Sequence, residues 1–270
     1  MSESNKRNFI VHGSILAIAG ILVRIIGMLY RIPVVNIIGS EGNGIYGAAF
    51  NIYNIMLVLS SYGLPMAVSK LVSARFTKRR YKSAAKVLRC SLMVAVCTGG
   101  IAALLVFFGA SFIENVIYGG GLPGLAIPLR ILAPTIFLVA ILGVIRGFFQ
   151  GQSTMIPTAV SQILEQIVNA IVSIAAGYVM MKAFASSPDV AAYGAAGSTL
   201  GTAMGALTAV LFMGFLYAVY TPTFNRLKRK DRHTENQSTG QICKIIIYTM
   251  IPIILGQTFY QISALIDDVM

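Results

Sequence analysis

Residues 12–38, HGSILAIAGILVRIIGMLYRIPVVNII, decide how the rest of the chain is read. The run is long and apolar enough for an α-helix to cross a ~30 Å hydrocarbon layer, yet it carries Arg24 and Arg31. An arginine at mid-membrane costs about 2.5–3.5 kcal/mol on insertion scales, so it is expected to face a protein interior or a watery cavity. At ~100° per residue, Gly13, Gly20, Arg24, Gly27 and Arg31 share an arc of about 60°. One face is therefore small and cationic. Glycines admit a neighbouring helix, and guanidiniums beside them can grip an anion. Counted from His12 at ~1.5 Å per residue, Arg24 lies about 18 Å in and Arg31 about 28 Å, so only Arg24 is deep. Two plainer roles stand beside anion binding: a buried ion pair for Arg24, and snorkelling to the outer interface for Arg31.

The composition agrees with that first span. The 270 residues are 56% hydrophobic and only 11% charged, with mean hydropathy +0.77, against roughly 25% charge in soluble domains. The expected class is an all-α integral membrane protein, multi-pass in the cell membrane. Net charge is +12, and most of the Lys and Arg residues fall in or beside alternate connecting segments. That is the positive-inside pattern, and it argues against nucleic acid as a partner. Cys90, Cys97 and Cys243 have no paired spacing and are expected as free thiols. His12 and His233 stand apart from any acidic cluster, so no metal, cofactor or histidine-based nucleophile is predicted. Ala17-Ile18-Ala19 faintly mimics a signal-peptide cleavage site, but the apolar run before it is too short, and the first span is expected to be retained.

The N-terminal segment, with Lys6 and Arg7, is expected in the cytoplasm, so the first span runs outward to a turn at 39–44. The second, 45–69, returns with Gly47, Asn51, Asn54, Ser61 and Pro65 on a polar face. Asn51 and Asn54 either bond between helices or line a cavity. Residues 70–89 hold eight basic residues and no acidic one, the strongest cytoplasmic signal, with anionic-lipid contact as its ordinary role. The third span, 87–110, has almost no polar residue and is expected to face lipid. An outer segment with Glu114 and Gly119-Gly120-Gly121 leads to a fourth span, 124–148, broken by Pro128 and Pro134 and anchored at its interface by Arg130.

After a tight inner turn at 149–154, the fifth span, 158–181, sets Gln162, Glu165, Gln166, Asn169 and Ser173 on one side. Glu165 would sit ~10 Å from the inner edge, near enough in depth to Arg24 to pair with it if the helices are neighbours. Pairing, proton or cation binding, and orientation of an arginine toward substrate are all open for Glu165. The sixth span repeats Gly197, Gly201, Gly205 and Ala209 at four-residue spacing, a close-packing seam. A polar stretch, 221–241, then precedes a seventh span with Pro252, Gly256, Gln257 and Gln261 that meets Asp267-Asp268 near the outer surface. The expected organisation is a six-helix N-terminal lobe (1–220), a basic cytoplasmic linker (221–241) and the first helix of a second lobe (242–270). On that view the chain is a fragment.

The segment LVRIIGMLYRIPVVNIIGSEGNGIYGAAFNIYNIMLVLSSYGLPMAVSKLVS resembles the opening of the polysaccharide-biosynthesis branch of the multidrug/oligosaccharidyl-lipid/polysaccharide exporter superfamily. It is most similar to the lipid II flippases and the stage V sporulation protein B group. The resemblance is carried by Arg24-x-x-Gly27-x-x-x-Arg31-Ile32-Pro33, by Gly39-x-x-Gly42-x-Gly44-x-Tyr46, and by Gly63-x-Pro65-x-Ala67-x-Ser69-Lys70. It implies a MATE-like transporter of two six-helix lobes facing each other across a central cavity and working by alternating access. It also implies that Arg24, and less directly Arg31, meet the pyrophosphate of the substrate. Two positions depart from the pattern: Ile32 follows Arg31 where some members carry an acid, and Lys70 stands near where some carry an arginine, keeping the charge without the bidentate fork.

The function expected from these readings is a flippase, not an enzyme. It would move an undecaprenyl-pyrophosphate-linked cell-wall precursor, in the first instance lipid II, to the outer leaflet. Arg24 and Arg31 would bind the diphosphate, while Asn51, Asn54, Gln162, Glu165 and Asn169 line the polar interior. The partners are the lipid-linked saccharide, membrane lipids and the missing second lobe. Two rivals remain. A cation-coupled multidrug exporter of the same superfamily should carry acidic groups in place of fixed positives. A membrane glycosyltransferase or ligase needs acidic or histidine groups on its outer loops, and here Glu41, Glu114 and Asp189 stand singly.

Overall fold

The computed structural model describes residues 3–232 and 238–269, with side chains over 13–232 and 238–258. Expectations placed on His12, His233, Gln261, Asp267 and Asp268 fall on side chains outside that description. Among the described residues every regular element is helical. The chain opens on α1 (Glu3–Ser60), which folds back at Gly39, where φ is 71° and ψ −177°. Only glycine adopts that backbone without strain. Tyr30 and Tyr46 consequently pack in one cluster, although a straight helix would hold them ~24 Å apart. The turn expected at 39–44 thus shrinks to one residue, and helix resumes at Ser40.

The second span is not continuous to Ser69. It stops at Ser60, and α2 (Gly63–Thr77) begins after Ser61-Tyr62. Pro65 is the reason: it has no N–H to give, and it sits in the first turn of α2, where none is needed. The Leu57 carbonyl takes both the Ser61 N–H (2.8 Å) and the Tyr62 N–H (3.1 Å), closing the end of α1.

The third span is α3 (Tyr81–Phe112), which does not simply face lipid. One side packs on α4 (Ala126–Gln150) so tightly that a Cβ at Gly99 would lie 2.6 Å from the Ala140 Cβ. The other side exposes Leu104, Leu105 and Phe108, as a lipid-facing stripe requires. A π-helical turn (Ile113–Ile117) ends α3 and presents Glu114 to the start of α4. The two Glu114 carboxylate oxygens accept the Gly124 N–H (3.0 Å) and the Ala126 N–H (2.7 Å), so this acid caps a helix. The fourth span is also not broken as expected. Pro128 falls in the first turn of α4, and the helix runs on through Pro134. Arg130 is exposed and donates to the Ser111 hydroxyl at 2.9 Å.

The bundle continues with α5 (Ile156–Ala183) and α6 (Val190–Lys230). The latter is ~60 Å long, about twice the hydrocarbon thickness. Residues 221–230, expected in the linker, therefore extend α6, and Phe224 is fully buried there in an aromatic cluster with Phe76, Phe148 and Tyr220. Finally, α7 (Thr239–Val269) lies on α2, with Met250 against Gly63. Among the described residues six helical stretches are long and apolar enough to cross a membrane, and the first of them, Gly13–Thr77, doubles back at Gly39 to supply two crossings. The chain is a multi-pass membrane protein.

Candidate functional site

Two glycine seams set the rotation of the helices that carry charge into the bundle. On α6, a Cβ at Gly197 would lie 2.5 Å from the Ala176 carbonyl, one at Gly205 2.6 Å from the Glu165 carbonyl, and one at Gly201 would collide with Ser173. The expected seam thus locks α6 against the back of α5 and turns the other side of α5 toward α1. A second seam, on α4, went unread in the sequence. Gly143, Gly147 and Gly151 meet Pro65, the Pro65 carbonyl (2.5 Å) and the Ser69 carbonyl (2.8 Å) of α2.

Held in this way, α4 and α5 make few backbone contacts with each other, yet their long side chains meet. Arg146 Nη2 reaches Glu165 Oε2 at 2.7 Å, and Arg146 Nε donates to Ser161 Oγ at 2.9 Å. The Ser161 hydroxyl in turn donates to the Thr158 carbonyl at 2.8 Å. The pair is largely sequestered, with 14% of the arginine and 27% of the glutamate side chain accessible. Beside it opens a cavity of about 320 Å³ lined by Gly20, Val23, Arg24, Arg146, Gln162, Glu165 and Gln166.

Of the residues named from sequence, Arg24, Gln162 and Glu165 come together in this cavity. Arg24 does not pair with Glu165: Arg146 holds that carboxylate, and Arg24 stands exposed across the cavity with no hydrogen-bond partner among the described residues. Asn169 is buried elsewhere. Its amide donates to the Tyr30 hydroxyl (3.4 Å), and its oxygen receives Ser173 (2.9 Å) and Thr202 (3.4 Å), tying α1, α5 and α6 together. Arg31, also exposed, lies two turns beyond Arg24 on the same side of α1, whereas Asn51 and Asn54 sit on its returning arm outside the cavity lining. Gly13 and Gly20 have open space where a neighbouring helix was expected, and only Gly27 is approached, by Gln166 Nε2 at 3.3 Å.

Arg146 was the residue that sequence reading missed. It is a further arginine inside an apolar span, separated from Glu165 by a tight turn, and the rarity of intramembrane charge was signal enough to find it. With it, the described residues lining the cavity supply two guanidiniums, one carboxylate and two amides, an excess of positive charge at membrane depth. Among the described residues no group of His, Cys, Asp or Glu is clustered to hold a metal.

A profile of the family described as "Polysaccharide biosynthesis protein" matches residues 10–270. The chain belongs to that family. This family member is 34% identical over 176 residues to the lipid II flippase MurJ of Bacillus subtilis (strain 168), covering 63% of this chain and 32% of that protein. It is 32% identical over 209 residues to stage V sporulation protein B of the same organism, covering 77% of this chain and 39% of the relative. It spans less than half the length of these curated relatives. Among solved structures, a MATE transporter in its straight conformation superposes with a TM-score of 0.75 at 17% identity, over 96% of this chain and 55% of that one. An outward-facing MATE family transporter of the MOP superfamily gives 0.71 at 18% identity, over 92% and 53%. The family member therefore has a MATE-like fold.

Proposed function

We propose that this family member forms the N-terminal half of a flippase that moves an undecaprenyl-pyrophosphate-linked cell-wall precursor, lipid II in the first instance, to the outer leaflet by alternating access. The observation that carries the proposal is the cavity in which, among the described residues, Arg24 and Arg146 outnumber the carboxylate of Glu165. A sugar diphosphate cannot cross hydrocarbon unaided, and fixed guanidiniums can replace its hydration while the polyprenyl chain stays in lipid. In this reading Arg24 binds the diphosphate, Arg31 assists toward the outer side, Gln162 and Glu165 line the polar wall, and Asn51, Asn54 and Asn169 shape the surrounding interior. No bond is made or broken.

The organisation belongs to the same proposal: residues 1–230 are the first lobe with its extended last helix, α7 opens a second lobe, and the N-terminus lies in the cytoplasm. The named activity of the MurJ relative supports this cargo. The fold itself is shared with multidrug exporters, which keeps a cation-coupled exporter as the rival. That rival is weakened because Glu165, the carboxylate in the cavity lining, is already held by Arg146. A surface glycosyltransferase is weakened because Glu114 is spent on capping α4.

The test is exposure of a labelled lipid-linked disaccharide-pentapeptide at the outer leaflet of cells depleted of their own flippase. The complete gene product, the 270-residue chain and the Arg24→Ala complete protein are compared. Rescue by the complete protein alone is the expected result. Failure of the complete protein despite normal expression would remove lipid II as cargo.

A further inference from the structure

A second cavity, of about 380 Å³, lies where α3 begins, α6 ends and α7 starts. Lys82, Lys86 and Arg89 line it from α3, Lys228 from α6 and Thr239 from α7, and among the described residues no carboxylate is in its wall. Spacings of four and three residues put Lys82, Lys86, Arg89 and then Met93 on one face of α3. Farther along that face Met93 is 49% and Val96 46% exposed. The wall therefore passes from a ring of cations to an apolar strip, in the direction that leads into the membrane.

The nearby acid, Asp231, is buried at the foot of this cleft. One of its oxygens accepts the Lys82 backbone N–H at 2.8 Å, and it has further contacts within the fold. It anchors α6 to the start of α3 and is not part of the cavity wall. Lys228 is stacked over the Phe224 ring at 5.2 Å, which steadies its stem beside the cavity.

We propose that this cleft is a binding site for a phosphate-bearing headgroup, held by Lys82, Lys86, Arg89 and Lys228 with the lipid chains running along Met93 and Val96. The site is separate from the transport cavity and independent of the cargo. It rests on the orientation proposed above, in which the basic end of the bundle meets the anionic inner leaflet. Because α3 and α6 belong to one lobe and Thr239 opens α7, a bound headgroup would join the two across the linker.

The experiment is native mass spectrometry of the purified full chain with phosphatidylglycerol or phosphatidylcholine. Parallel thermal melts use phosphatidylglycerol, glycerol phosphate or inorganic phosphate. The pocket variant R89Q/K228Q is compared with K70Q/K78Q, whose charges lie outside the cleft, and with the charge-keeping R89K/K228R. Retention of phosphatidylglycerol over phosphatidylcholine is expected, reduced about tenfold in R89Q/K228Q and kept in both other variants. The R89K/K228R result separates loss of charge from loss of fold. Protection by soluble phosphate equal to that by lipid, and abolished in R89Q/K228Q, would uphold the phosphate site and assign it to a soluble ligand. Equal losses in R89Q/K228Q and K70Q/K78Q, or no loss in R89Q/K228Q, would overturn it.

Discussion

Arg146 on α4 and Glu165 on α5 form a 2.7 Å ion pair across a gap that the two backbones do not close. The pair does two things at once. It cancels a carboxylate that would otherwise be costly at membrane depth, and it holds open the polar space that Arg24 faces from α1.

Breaking the pair on one side should therefore destabilise the bundle more than removing it whole. Arg146→Gln leaves a sequestered carboxylate, at an expected cost of about 3 kcal/mol, the low end for buried pairs because Glu165 keeps some access to the cavity. Arg146→Met combined with Glu165→Leu should recover most of that loss. Thermal unfolding in detergent measures both, and a double variant as unstable as Arg146→Gln would show that the charges are not what matters.

Arg24 should behave oppositely. It is exposed and pairs with no described residue, so Arg24→Ala is expected to leave the melting temperature unchanged. If the proposed diphosphate is the cargo, losing one charge-assisted contact to it, worth about 1.5–3 kcal/mol, should weaken its binding by roughly ten-fold or more. Arg24→Lys should fall between, since it keeps the charge but loses the fork. Titration of a lipid-linked diphosphate into the reconstituted protein gives the order of affinities.

The α5–α6 seam predicts a sharp contrast between glycines on one helix. Gly205→Ala would press a methyl against the Glu165 carbonyl at 2.6 Å and should cost about 1–3 kcal/mol. Gly214→Ala meets nothing within 4 Å and should be neutral or stabilising by up to about 1 kcal/mol. Equal effects in a melting comparison would contradict the seam.

Glu114 supplies the N-terminal cap of α4, so Glu114→Ala should cost about 1 kcal/mol. Glu114→Gln, which keeps one acceptor oxygen, should cost less. Hydrogen exchange at Gly124 and Ala126 should quicken in the alanine variant while exchange at the far end of α4 stays unchanged.

Orientation is open to a direct check by labelling. In a cysteine-free background, Lys78→Cys should react with an impermeant maleimide only after the cytoplasmic side is opened, and Gly120→Cys should react in intact cells. The reverse pattern would invert the membrane topology and with it the lipid cleft.

The positions of the spans could be read from the residues because transfer into hydrocarbon is nearly additive along a chain. The seam of Gly197, Gly201, Gly205 and Ala209 was legible for a similar reason, since four-residue spacing lines one helix face by itself. The break at Ser61-Tyr62, the uninterrupted course of α4 through Pro134 and the extension of α6 to Lys230 were not. Neighbouring helices contribute to two of these: the Thr98 hydroxyl of α3 donates to the Ser60 carbonyl at the break (3.0 Å), and an aromatic cluster surrounds Phe224 at the extended end of α6.

By itself the sequence determined that this chain is a helical membrane protein with a charged, glycine-lined first span, because hydropathy, charge bias and helical spacing are properties of single segments. Tertiary structure alone decided that Arg146 pairs with Glu165, that Arg24 is left facing the cavity, and that Asn169 is spent on holding three helices together. Those outcomes turn on the rotation of each helix about its axis and on which helices adjoin. The close contacts of Gly147 with α2 and of Gly205 with α5 set both, and no single segment contains that information.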